Sequence, residues 1–126
     1  MDADTEAMCF VATARPAEAL AFYRDVLNLE LVEDSPFALV FNTGGRSLRV
    51  QKVGEPVVPG PGTALGWKVA DIRSEIAELT GKGVEFSRFE GMPQDADGVW
   101  TSPPGHQIAW FRDPDGNTLS LTQFAS

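Results

Sequence analysis

The chain has 126 residues with ten basic and eighteen acidic side chains, a formal net charge of −8 with the histidine neutral. That length fits one domain, or two small halves sharing a core, and the acidity argues against a phosphate backbone or an anionic membrane surface as partner, since both need a basic face. With one histidine, His106, and one cysteine, Cys9, zinc ribbons, disulfide frameworks and CxxC redox pairs are excluded by count.

After a polar start, residues 8–13 read as a strand. Pro16 suits the first position of a helix, and Ala19, Leu20, Tyr23, Val26 and Leu27 recur at helical spacing, predicting a helix over 16–27. Asn28 tolerates the left-handed conformation that stops a helix. Residues 29–33, 37–42 and 47–53 read as three strands, the last two joined at Gly44-Gly45. Residues 54–62 hold three prolines and three glycines and read as a linker. The order then repeats. Residues 63–69 read as a strand, Asp71 as the N-cap of a helix carrying Ile72, Ile76 and Leu79, and residues 84–89 as a strand. A Gly/Pro-rich loop over 90–105 includes a short extended piece near 99–101. Residues 107–112 and 118–124 are strands joined by the turn formers Asp113-Pro-Asp-Gly-Asn117.

Each half therefore reads βαβββ. Leu48 and Val50 correspond to Leu119 and Leu121, and the turn at Gly44-Gly45 to that at Asp113–Gly116. This is an internal duplication. The expected organisation is a single domain over 1–126, with module one at 8–53, a linker at 54–62 and module two at 63–124.

Residues 17–29, AEALAFYRDVLNL, closely resemble the first helix of the vicinal oxygen chelate superfamily, which holds glyoxalase I, bleomycin resistance proteins and extradiol dioxygenases. Residues 109–119, AWFRDPDGNTL, resemble its late hairpin. The resemblance implies an α+β fold in which two tandem βαβββ modules form an open eight-stranded cup, the glyoxalase/bleomycin resistance/dihydroxybiphenyl dioxygenase-like fold. It also implies pairing into homodimers. In metal-dependent members, ligands sit at matching points of the modules. Carried over by position, these fall at Met8, Arg49, Ala64 and Ser120. A thioether, a guanidinium, a methyl and a hydroxyl replace imidazole and carboxylate, so no metal is expected and no cofactor is predicted. Glu6 is the one nearby carboxylate. Glyoxalase I and extradiol dioxygenase activities, which need that metal, are not expected.

Strand alternation extends these positions to Phe10 and Ala12, Ser47 and Gln51, Gly66 and Lys68, and Thr118 and Thr122, leaving the apolar leucines and valines on the helix side. The expected ligand contacts are Met8, Phe10, Arg49, Gln51, Lys68, Trp100 and Ser120. Arg49 and Lys68 are candidates for an anionic group such as a carboxylate; pairing with acids such as Glu6 is the other reading. Trp100, Trp110 and Met92 are candidates to roof the cavity over a planar ligand, or simply to pack the loop. His106 is a candidate general base, although no partner for it is evident.

The expected function is metal-free binding of a small organic molecule. The alternatives are a lyase, isomerase or dioxygenase-type enzyme acting through side chains or an unrecognised cofactor, and a non-catalytic partner domain. No run of about 20 apolar residues offers a membrane span. The start lacks a signal pattern and the single cysteine fits a reducing compartment, so the cytoplasm is the expected setting.

Overall fold

A computed structural model describes all 126 residues. They divide into two compact units, Met1–Val58 and Pro59–Ser126. Each carries a four-stranded sheet of the same topology, ordered β1-β4-β3-β2 in the first and β5-β8-β7-β6 in the second. The repeat anticipated from the sequence is therefore present.

In the first unit, β1 (Cys9–Thr13) leads into α1 (Pro16–Ala21), then a π-helical turn over Phe22–Val26, followed by β2 (Glu30–Asp34), β3 (Ala38–Thr43) and β4 (Arg46–Lys52). The helix expected over 16–27 thus changes hydrogen-bonding partway. Leu27 N–H reaches back to the Phe22 carbonyl at 2.9 Å, and Leu29 N–H reaches the Tyr23 carbonyl at 3.0 Å across Asn28, whose φ is +59°. Asn supplies that left-handed stop at little steric cost. The Gly44-Gly45 loop has φ of +57° and +78°, which a two-residue hairpin of this hand requires and which glycine permits.

β1 runs parallel to β4, and β4 and β2 run antiparallel to β3. Cys9 lies opposite Leu48 and Val11 opposite Val50, while Phe10 lies opposite Arg49 and Ala12 opposite Gln51. Leu48, Val50, Phe41, Leu39 and Tyr23 are fully buried. At about 1.5–3 kcal/mol for each large apolar side chain removed from water, this layer drives the unit's collapse. The Tyr23 and Phe41 rings meet at 5.8 Å.

In the second unit, β5 (Leu65–Lys68) is followed by α2 (Ile72–Gly81), β6 (Trp100–Thr101), β7 (Gln107–Arg112) and β8 (Thr118–Gln123). The Asp71 carboxylate accepts the Ser74 N–H at 3.2 Å and the Ser74 hydroxyl at 2.8 Å, capping α2 as its sequence implied. Ile72, Ile76 and Leu79 bury one face of α2, and Phe111 and Leu119 are buried on the sheet. Asp113 Oδ1 accepts the Asp115 and Asn117 amides at 3.0 and 2.9 Å, so the expected turn is formed and Asp113 closes it.

One expected strand is not formed. Residues 84–89 contribute a single bridge, Phe86 opposite Phe111, and one further bond, Ser87 N–H to the Trp110 carbonyl at 2.7 Å. The fourth strand is instead β6, opposite Gln107 and Ile108 at the other end of β7. The chain leaves this sheet edge after Ser87 and returns at Trp100. The cause is Gln94. Its Oε1 accepts the Phe89 N–H at 2.8 Å, and its Nε2 donates to the Ser87 and Gly98 carbonyls at 3.0 and 2.9 Å. Backbone groups that a ladder would have used are satisfied by one side chain, so the excursion is a formed loop.

Candidate functional site

Each sheet has a face turned away from its buried leucine layer. In the first unit that face carries Phe10, Arg49 and Val40 in one cross-strand row, with Glu33 next to Val40 after a bulge at Val32. Ala12, Gln51 and Ala38 form the next row. Met8, two residues before Phe10, is half exposed, as is Phe10 itself. Arg49 is partly buried and forms no ion pair. Glu6 is taken by Arg46 at 3.5 Å, so it does not neutralise Arg49.

In the second unit the corresponding rows are Gly66, Ser120 and Trp110, then Lys68, Thr122, Ile108 and Trp100. Gly66 leaves room for Ser120: a Cβ at residue 66 would stand 2.5 Å from the Ser120 hydroxyl. Lys68 lies over the Phe124 ring, 5.8 Å from its centre. His106 packs edge-on to the same ring at 5.1 Å. Its Nδ1 accepts the Ala125 N–H at 3.0 Å, so the neutral imidazole carries its proton on Nε2. The lone pair that could act as a base is thereby engaged by the backbone.

A cleft of about 330 Å³ opens on this face, lined by Trp110, Phe89, Met92, Thr63, Arg112 and Thr118 and rimmed by Gly60-Pro61-Gly62. That volume is at the lower end of the roughly 300–1,000 Å³ of small-molecule sites. The Trp110 indole is fixed twice: its Nε1–H donates to Thr63 Oγ1 at 3.1 Å, and its ring meets Phe89 edge-on at 5.4 Å. Phe89 and Met92 come from the excursion held by Gln94. Trp110 and Met92, two of the expected roofing side chains, line this cleft; Trp100 does not.

The sequence reading passed over Phe89, Arg112 and Thr63. Arg112 was accessible to it, since alternation from Trp110 along one strand puts both on one face. Phe89 was not, because it belonged to the strand that does not form.

The loop's outer side is held by charge. Arg73 donates to Asp95 at 2.7 Å and to Asp97 at 2.8 Å, and the first of these bonds holds the Asp95 carboxyl below its ordinary range and raises the Arg73 guanidinium. Asp95 Oδ1 also accepts the Asp97 and Val99 amides, both at 3.0 Å. Arg88 donates to the Asp95 and Ala96 carbonyls.

The positions at which the sequence resemblance implies metal ligands hold Met8 and Arg49 in the first unit and Ala64 and Ser120 in the second. That donor set does not fit a first-row metal. No group of three or more His, Cys, Asp or Glu side chains is placed to hold a metal ion, and no helix is long and apolar enough to cross a membrane.

Comparison with known proteins gives a consistent picture. The Glyoxalase/Bleomycin resistance protein/Dioxygenase superfamily matches over residues 7–121. A lactoylglutathione lyase from Agrobacterium tumefaciens superposes with a TM-score of 0.75 at 18% identity, covering 97% of this chain and 95% of that one. A glyoxalase family protein from Enterococcus faecalis gives a TM-score of 0.78 at 18% identity, covering 97% and 99%. A fosfomycin resistance protein from Listeria monocytogenes gives 0.74 at 11% identity, covering 97% and 94%. At these identities the likeness is one of fold. No curated protein matches by sequence.

Proposed function

The chain belongs to the Glyoxalase/Bleomycin resistance protein/Dioxygenase superfamily, and from that premise we propose that it binds a small organic molecule without a divalent metal. The observation that carries this reading is the cleft around Trp110, a concave site with an aromatic wall and a few polar groups. The unsuitable donor set at the family's ligand positions supports the metal-free part. Met8, Phe10, Arg49 and Gln51 in the first unit, and Lys68, Trp100 and Ser120 in the second, are proposed as further ligand contacts, on the strength of the sheet rows described above. We read the chain as one domain with modules at 8–53 and 63–124 joined by a linker at 54–62. Family membership supports a homodimer, and the single cysteine supports a cytoplasmic setting.

The test is calorimetric titration of small aromatic compounds into protein stripped with a chelator, repeated with added zinc, nickel or iron. Equal affinity with and without metal is expected. Trp110→Ala should weaken binding by about 2 kcal/mol, roughly thirtyfold, as for a central aromatic anchor. Binding or turnover that appears only on adding metal would overturn the proposal. Metal-free turnover lost in His106→Ala would replace it with the enzymatic alternative.

A further inference from the structure

Ten cations serve a chain with eighteen acids, so no cation lacks a carboxylate for want of supply. Six are ion-paired: Arg15 with Glu18, Arg24 with Asp25, Arg46 with Glu6, Lys52 with Asp34, Arg73 with Asp95 and Asp97, and Lys82 with Glu78. Arg88 is held by two backbone carbonyls. Arg49, Lys68 and Arg112 are left without a carboxylate partner. All three lie on the strand face turned away from the buried leucines of their sheet. Lys68 is accounted for by the Phe124 ring. Arg112 lines the cleft beside Trp110.

Resting on the reading of the cleft as a binding site, we infer that its ligand is a planar aromatic acid. Trp110, Phe89 and Met92 hold the ring, and Arg112 takes the anionic group. Three features of the lining select this class. No Asp or Glu lines the cleft, so a cationic ligand would find no counter-charge there. The wall is aromatic and thioether, surfaces that gain by stacking and by sulfur–ring contact, so a bare inorganic anion would leave most of it unused. The one charged side chain is a guanidinium, whose planar fork matches a carboxylate with two parallel bonds. Thr63 Oγ1 is already engaged by the indole N–H, which keeps the Trp110 ring in place when the cleft is empty.

The experiment uses indole-3-acetate, its neutral amide and tryptamine, titrated separately into the full chain at low salt. The acetate should bind about tenfold more tightly than the amide, the contribution of one charge-assisted bond. Tryptamine should bind least. Arg112→Gln should bring acetate and amide within about twofold of each other, while Arg112→Lys, which keeps the charge but loses the fork, should fall between. Because Arg112 is exposed, about 0.5 M salt should shrink the gap as well. Trp110→Ala should weaken acetate and amide alike. Circular dichroism of each variant checks that the fold is kept. An amide or amine that binds as well as the acetate, or a gap that survives Arg112→Gln, overturns the inference; the cleft reading stands in that case if Trp110→Ala still weakens binding. Failure of all three compounds to bind overturns the inference, and the cleft reading is then decided by the wider titration of aromatic compounds.

Discussion

Replacing Gln94 by alanine should loosen the second unit and its cleft together. The side chain is half-buried and makes three bonds to backbone, at 2.8, 3.0 and 2.9 Å, to Phe89, Ser87 and Gly98. A net hydrogen bond is worth about 0.5–1.5 kcal/mol, and water entering the truncated site recovers part of the loss, so a cost of about 2 kcal/mol is expected. For a domain of this size that lowers Tm by roughly 5–10 °C. Chemical denaturation followed by tryptophan fluorescence gives the free energy, and calorimetry gives the Tm. Gln94→Glu separates the roles of the two ends. It keeps an acceptor for Phe89 N–H but turns a carboxylate toward two carbonyl oxygens, which raises its folded-state pKa. A group so raised contributes stability at low pH and loses it as pH rises through that pKa. Gln94→Glu should therefore be less stable than Gln94→Ala at pH 7 and recover on acidification toward about pH 4. Ligand affinity should fall in both variants, because Phe89 and Met92 ride on the segment that Gln94 holds. A loss under about 0.5 kcal/mol in Gln94→Ala, within the range of ordinary surface changes, would refute the assignment of this side chain as the loop's anchor.

Two further outcomes follow from particular contacts. Asp95→Asn keeps the Oδ1 that accepts the Asp97 and Val99 amides but removes the partner of Arg73. Since Asp95 is depressed in the folded state, the ion pair's contribution is full above about pH 4 and lost as pH falls through the folded value. The stability difference between Asp95→Asn and the unaltered chain should accordingly be small at pH 7, under about 1 kcal/mol for so exposed a pair, and close at low pH. A difference that widens on acidification would contradict the assignment. Gly66→Ala places a Cβ 2.5 Å from the Ser120 hydroxyl and should cost about 1 kcal/mol by forcing Ser120 to another rotamer. Removing that hydroxyl with Ser120→Ala should relieve the cost, so denaturation of the double variant should show favourable coupling; strict additivity would mean that Ser120 is not the obstacle.

Much of the fold is legible because its signals are local. The Asp71 cap, the Gly44-Gly45 hairpin, the Asn28 stop and the Asp113 turn are each decided within a few residues, and the structure shows the same groups acting. Alternation along β4 and β8 is local as well, and it sets which side chains share the buried layer. What escaped is not local. Val84 and Phe86 alternate like a strand, but the pairing stops after the Phe86 bridge, where a glutamine further along the chain bonds the Ser87 carbonyl and the Phe89 N–H. The change to π bonding at Phe22 escaped for a related reason: the apolar spacing of 16–27 records which side chains face the core and not which carbonyl each N–H reaches.

The candidate site divides along the same line. Net charge is a sum, and a sum does not say which charges are already neutralised. In the sequence, Arg49 and Lys68 stood out because alternation placed them on the open strand face, and Arg112, at the end of its strand, was passed over. The structure reverses that weighting within the second unit. Lys68 has a ring beneath it at 5.8 Å, a contact of about 0.5–1 kcal/mol where exposed, and it borders the C-terminal Phe124. Arg112 has no acid, and the surfaces near it are aromatic. An exposed guanidinium loses little by standing unpaired in water, so solvent alone would be a sufficient account were the wall beside it polar. The wall is Trp110, Phe89 and Met92, held by a hydrogen bond to Thr63 and by a glutamine that keeps the loop off the sheet edge. Those supports hold an apolar concavity facing solvent. Such a concavity, with a cation that has no acid beside it, suits a ligand with both a ring and a negative charge.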